Sequence, residues 1–519
     1  MFNIFNKLRQ LLGVHCLEFA MNQTNLNSIQ KADGIVFNAN EIAVLNLLNE
    51  KIKQIRITLI QQDAYEDQYL TLLSQTEVNC TPLFHFCRGI CGGDKPIRKS
   101  ETDEILNYCF EVAGREYPTL LMQQSGMAAK QYNYNQKYPT DFEKFKALIT
   151  EDEISKLLND KQHWESALKF VTDDGVSHFT QIVQLLENVI TISFQNCTFR
   201  GETTYQELTC EIERQVSFLR KLVNREEAEH SSFIGIVGLS LGEVGELNFE
   251  DLIVRQFDDV NSPNKIAKMA MYNRNQQGEI TSFGCVGEII HRTKLTDEVK
   301  DYSSSNSRMT NEYIKKIENA FSLALIFTTF EPKGFKYVFS TMGLCTSPAG
   351  NFSYNSDNRP HGMLSIKECH IEKLGMWYHM LKNTDLKTVE LPLRKLSQAV
   401  FERKNPTDSF IDAITALEGM FGAQGETLFK VSTSVSRFLY DSFEERTKSK
   451  KTIKKLYDIR SKLVHGANDS VPSNEVIEES TNQILELCFS VISKLLQDEK
   501  LLALQPHERI NLIVYGEDY

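Results

Sequence analysis

The residues with the clearest chemistry stand at the end of the most basic stretch of the chain. Arg460 and His465 fall in Tyr457-Asp458-Ile459-Arg460-Ser461-Lys462-Leu463-Val464-His465-Gly466. A guanidinium is a permanent cation, and an imidazole is the side chain that titrates nearest neutrality. RNA carries its own nucleophile, the 2′-hydroxyl, so cutting it needs no metal. It needs a base for the hydroxyl proton, a cation for the phosphorane oxygens and an acid for the leaving 5′-oxygen. His465 is suited to the base or acid role and Arg460 to the clamp. A five-residue offset on an ideal helix turns two side chains about 140° apart. One pair therefore does not converge, whereas two copies facing each other would complete a site.

Upstream lie Arg446, Lys448, Lys450, Lys451, Lys454 and Lys455, and Lys462 follows, with Asp458 the only acid from Arg446 to His465. In a chain of net charge −12, from 57 Lys+Arg against 69 Asp+Glu, this is the sharpest electrostatic anomaly. The molecule as a whole repels nucleic acid, so any binding needs such a local patch. Lys450, Lys451, Lys454, Lys455 and Lys462 are the candidate phosphate contacts, with Tyr457 and Ser461 in support. A solvated helix face is the plain alternative.

Other constellations read more simply. Cys80, His85, Cys87 and Cys91 could form a tetrahedral zinc site, but the close C-x2-C or H-x3–5-H pairings are missing. Phe84 and Phe86 interleave there as in a buried strand, which favours buried thiols, and no metal or cofactor is expected. Gly235, Gly238, Gly242 and Gly245 lack a following Gly-Lys-Ser/Thr and suggest glycine-bent turns rather than a phosphate loop. Glu226, Glu227, Glu229 and His230 read as the solvated end of a helix. Cys369, His370 and His379, near Trp377, read as packing residues.

These groups need elements to hold them. Val44, Leu48, Ile52 and Ile55 recur at helical spacing, as do Leu208, Ile212, Leu219 and Val223, and Ile314, Ile317, Phe321 and Leu325. Phe233–Val237 and Phe335–Phe339 are strand-like. Turn-rich stretches at 259–264, 303–307 and 346–362 punctuate the region. From about Leu391 the texture becomes helix after helix. Phe410, Ile414, Leu417 and Phe421 form one face, with Asp408 placed as cap. Leu428, Val431, Val435 and Phe438 form a second face, and Leu456, Ile459 and Leu463 a third, stopped by Gly466. Ser473 caps a last helix bearing Ile484, Leu487, Val491 and Leu495. The chain thus reads as α+β: a mixed α/β region at 1–390, with a further break near 200–230, then an antiparallel helical bundle at 391–519.

The 519 residues, 41% hydrophobic with 31 Phe and 18 Tyr, exclude a disordered chain. The apolar stretch from Leu11 to Met21 is broken by His15 and Glu18, so it reads as an ordinary helix rather than a signal peptide or a membrane span. Eleven cysteines without paired regularity fit reduced thiols and a cytoplasmic setting.

The Arg460–His465 spacing resembles the R-x(4–6)-H signature of the HEPN superfamily of helical-bundle ribonucleases. Phe410 to Glu418, Leu428 to Tyr440 and Leu456 to Gly466 resemble, in that order, segments of its ApeA-like branch. The resemblance spans about the last 130 residues. It implies a metal-independent endoribonuclease acting on RNA as a homodimer, with Arg460 and His465 as the catalytic pair. The superfamily often carries Asn, Asp or His after the arginine, where this chain has Ser461. The branch consists of bacterial antiviral effectors that halt growth by cutting RNA, which casts residues 1–390 as the part that senses a viral trigger or restrains the nuclease. The competing readings are a non-catalytic module that binds RNA or a nucleotide to regulate a partner, and a scaffold without a nucleic-acid role.

Overall fold

A computed structural model describes residues 93–516 apart from 123–138, 160–166, 174–176, 203, 258–283, 297–305, 330–334, 347–351, 355–362, 404, 423–425 and 466–471, with scattered residues before 93. The helix expected around Val44 to Ile55, the stretch from Leu11 to Met21, the Cys80–Cys91 group, the turn at 259–264 and Gly466 fall largely or wholly outside the described residues. The protein is α+β, with mixed helices and antiparallel sheet followed by a C-terminal helical region. Among the described residues no helix is long and apolar enough to cross a membrane.

In chain order the principal elements are α1 (Glu104–Met122), α2 (Pro139–Glu151), β1 (Leu158–Asn159), β2 (Ala167–Val171), β3 (Ser177–Gln181), α3 (Ile182–Arg200), α4 (Tyr205–Val223), β4 (Ala228–Val237), β5 (Leu239–Ser240), β6 (Leu252–Gln256) and β7 (Cys285–Thr293). There follow α5 (Asn306–Thr329), β8 (Lys336–Met342), β9 (Phe352–Tyr354), β10 (Leu364–Ser365), α6 (Ile371–Asn383), α7 (Glu390–Ser397), α8 (Pro406–Phe421), α9 (Thr427–Leu439), α10 (Phe443–His465), α11 (Asn474–Leu496), α12 (Glu499–Ala503) and α13 (Pro506–Ile510). They form two compact units that are discontinuous in sequence. The first comprises 1–237, 250–311 and 337–359, and the second 238–249, 312–336 and 360–519. The helical texture from 391 onward therefore lies within a unit that also takes earlier segments of the chain.

In the first unit α4 begins with a capping box. Thr204 Oγ1 accepts from Glu207 N at 3.2 Å while Glu207 Oε2 accepts from Thr204 N at 2.6 Å. Leu208, Ile212 and Leu219 are buried as their spacing predicts. α3 ends at Gly201, whose φ of 78° suits a residue without Cβ. Five of the six strands described for the main sheet run in the order β9-β8-β4-β7-β6. β4 and β7 pair antiparallel from Ala228↔Thr293 to Ile236↔Cys285. Gly235 is required here, because a Cβ built on it would stand 2.2 Å from the Phe339 ring. Phe199, Phe233, Val237, Val286 and Phe339 form an apolar cluster of their own. A second sheet, β1-β2-β3, is antiparallel throughout.

Several sequence expectations change in this unit. Glu229 and His230 belong to strand β4, not to a helix end, because Asn224 and Arg225 stop α4 first and Arg225 takes a left-handed φ of 59°. Residues 306–307 open α5 rather than continuing a turn. Within the turn-rich 346–362 stretch, Phe352–Tyr354 pairs with β8 because its apolar–polar alternation suits an edge strand.

In the second unit Ile314, Ile317, Phe321 and Leu325 of α5 are buried. Phe327 packs against Trp377 of α6 and Phe489 of α11, with ring centroids 5.3 and 6.3 Å apart. Cys369 and His379 are exposed, and only Trp377 of that group is a packing residue. Gly238, Gly242 and Gly245 all take positive φ, as glycine-bent turns require. α8 buries Phe410, Ile414, Leu417 and Phe421. Its cap is Asn405, whose Oδ1 accepts from Thr407 N at 2.9 Å. Pro406 occupies the first helical position, which moves Asp408 into the first turn. Ser473 caps α11 as expected. Arg509 is wholly buried and donates to the carbonyls of Leu501, Leu502 and Met420 and to Thr388 Oγ1.

Candidate nucleic-acid interface on the basic helix

α10 carries every predicted site residue. Its start is fixed by Ser442, whose Oγ accepts from Glu445 N at 3.2 Å and donates to Glu445 Oε2 at 2.6 Å. Glu444 and Glu445 lie in the first turn and Lys462 and His465 in the last, so both ends match the helix dipole.

Of its 23 residues only Ser449, Ile453 and Leu456 are buried. They lie at i, i+4 and i+7 and define a narrow inward stripe. Ser449 Oγ accepts from Ser436 Oγ of α9 at 3.1 Å. Ile459 and Leu463, expected to extend the inward face, are half-buried instead. Val464 is 55% exposed.

Helical geometry divides the functional groups between two arcs. At about 100° per residue, Arg460 falls within about 20° of the centre of the buried stripe. His465 falls about 140° away, among Lys450, Lys451, Lys454, Lys455 and Lys462. All five lysines, Ser461 and His465 are exposed, which makes a largely basic face that also carries the exposed Asp458, with the imidazole at its end.

Arg460 turns toward α8. Its Nη2 lies 3.5 Å from Glu418 Oε2, with side-chain exposures of 37% and 21%. Its Nε is buried without an acceptor among the described residues. Tyr457, one turn earlier, is half-buried beside the same carboxylate. Burial first, and then the charge of Glu418, push its hydroxyl up beyond its ordinary range, so it stays protonated. Glu418, Tyr457 and Arg460 thus form one cluster, while His465 belongs to the lysine arc.

Glu418 was part of the sequence resemblance, but its contact with Arg460 was not legible. The acid lies just past the apolar face of α8, and nothing in α10 points to it. Among the described residues no group of three or more His, Cys, Asp or Glu is placed to hold a metal. What α10 offers is an arc of exposed lysines, an imidazole beside it and a guanidinium held by a carboxylate at its inner edge. No family model, curated protein or solved structure matches the chain.

Proposed function

We propose that the protein is a metal-independent endoribonuclease of the HEPN type, cutting RNA through its 2′-hydroxyl. The observation that carries this reading is His465, exposed at the end of an arc of five exposed lysines on the helix that also holds Arg460. The lysines track the backbone, His465 moves the proton and Arg460 meets the charge that develops on the scissile phosphate.

Because one copy turns Arg460 and His465 to different arcs, the site is completed by a second copy. The half-exposed Ile459 and Leu463 and the exposed Val464 flank Arg460 and offer apolar surface for that contact. By resemblance to the ApeA-like branch, the role is that of an anti-phage effector, held in check by the mixed α/β part of the chain until infection is sensed.

A second reading, a module that binds RNA without cutting it, is favoured by one observation. Glu418 already neutralises part of the charge on Arg460. Parallel filter-retention and cleavage assays in EDTA separate the two readings. As a nuclease, His465→Ala retains RNA but does not cut it, and the Lys450/Lys454/Lys455→Ala variant loses both. As a binding module, the wild type itself does not cut. Cleavage that needs added magnesium overturns the proposal.

A further inference from the structure

A column of five aromatic rings runs through the first unit, and three of them are histidines. His230 of β4 and His291 of β7 are direct cross-strand partners. Their rings are parallel within 6°, with centroids 4.5 Å apart. Phe218 of α4 meets His230 edge-on at 5.7 Å and also flanks His178 of β3, which stacks on Phe170 at 4.6 Å. His230 and His291 are only 6% and 5% exposed.

The charged groups of the surrounding elements are largely engaged elsewhere. On β4 and β7, Glu229 pairs with Arg292, and Glu288 takes Arg200 and Arg255 of β6. On α4, Glu211 holds Arg200 and Arg214, while Arg220 holds Asp103 and Asp152. Asp173 accepts from Thr293 Oγ1 and Lys294 N, and the buried Asp251 ahead of β6 lies beside β7, its backbone oxygen accepting from Ile290 N next to His291. His178 has its ring nitrogens at hydroxyls, 2.9 Å from Thr346 Oγ1 and 3.2 Å from Thr172 Oγ1.

His230 is different. Both its ring nitrogens are buried and neither makes a well-formed hydrogen bond among the described residues. A proton on it would place a cation in a buried aromatic stack, against a second imidazole. Two neutral imidazoles stack well; a charged one beside another repels.

We propose that the His230–His291 stack makes the first unit acid-labile, so that a fall of pH below about 6.5 loosens the β4–β7 pairing. The direction follows from linkage. Burial, and then the neighbouring His291 and His178, hold His230 well below the ordinary histidine range in the folded chain. The stability that this neutral ring supports is present above about pH 6.5 and is lost as pH falls below that value, because the unfolded chain takes up the proton first. Each histidine kept neutral by folding changes the folded-to-open ratio about tenfold per pH unit. Glu288, drawn down to about 2, loses its contribution only in the carboxylate range, so between pH 6.5 and 5 it does not produce the same effect.

Hydrogen exchange on the full chain between pH 7.5 and 5, corrected for the intrinsic pH dependence of exchange, tests this. Protection of peptides covering 228–237 and 285–293 should fall at least tenfold per pH unit below 6.5, while α8 and α11 keep theirs. The His230→Phe/His291→Phe variant, which keeps a stacked pair, should remove that dependence. Should the variant fail to fold, the wild type decides alone. With ¹³C-labelled histidines, the His230 ring signal should remain neutral down to pH 5 for as long as the unit stays folded. Constant protection across the range, or every histidine titrating near pH 6.5 in the folded chain, overturns the proposal.

Discussion

Arg460 and Glu418 stand 3.5 Å apart on α10 and α8, so the guanidinium is already held by a carboxylate from another helix. This fixes the guanidinium near the last turns of α10 and leaves part of it open. The pair is too exposed to matter much for stability, about 1 kcal/mol at most. Its consequence is positional. Glu418→Gln keeps the shape of the side chain and releases Arg460. RNA cleavage should fall at least tenfold while filter retention of RNA is kept and thermal unfolding moves little. Unchanged cleavage would remove Glu418 from the account.

The lysine arc makes a salt prediction. Each phosphate contact releases counterions, so removing one lysine that contacts single-stranded RNA should lower the slope of log K against log salt by about 0.7. Lys450→Ala and Lys454→Ala, measured separately and together, should show this loss by fluorescence anisotropy across a salt series. Exposed lysines that only solvate the helix would leave the slope unaltered.

Contact between copies is tested at Val464. It is exposed, so Val464→Asp should cost the isolated fold no more than about 0.5 kcal/mol. Sedimentation velocity should show paired copies for the wild type and single copies for the variant, with cleavage lost alongside. A wild type that stays single while cutting RNA contradicts a shared site.

Arg509 carries a stability prediction for the second unit. Burial holds its pKa down at about 10, and its acceptors are three backbone carbonyls and one hydroxyl. Arg509→Leu fills part of the space but strands those oxygens, at a cost of about 3 kcal/mol. Urea unfolding should shift to a lower midpoint by that amount. A shift under about 1 kcal/mol would mean that water replaces the guanidinium at little cost.

Glu288 governs the acid limb of the first unit. Burial alone would raise its pKa, but Arg200, Ser231 and Arg255 outweigh it and draw the carboxyl down to about 2. Its contribution is therefore present above about pH 4.5 and is lost as the pH falls toward 2. In Glu288→Gln, the pH dependence of unfolding across that window should flatten by about 1.4 kcal/mol per pH unit.

Much of the helical structure could be read in advance because apolar period alone decides it. Phe410, Ile414, Leu417 and Phe421 lie inward as their spacing requires, and so do Val431, Val435 and Phe438. Local chemistry was harder. Asn405 with Pro406 took the cap expected of Asp408, since a proline at the first helical position sets the start. Ile459 and Leu463 fit an inward face by period, yet α10 is covered only as far as Leu456. Glu418 beside Arg460, and His230 against His291, join residues far apart in the chain. Such pairings depend on tertiary packing and strand register, which no local pattern encodes.

The central claim is most directly tested by the chemistry of the RNA ends. A defined single-stranded RNA is incubated in EDTA with the wild-type chain and with His465→Ala, and the products are weighed by mass spectrometry. The account predicts fragments ending in 2′,3′-cyclic phosphate from the wild type and intact RNA from the variant. Products bearing 5′-phosphates, or equal cutting by both proteins, would contradict it.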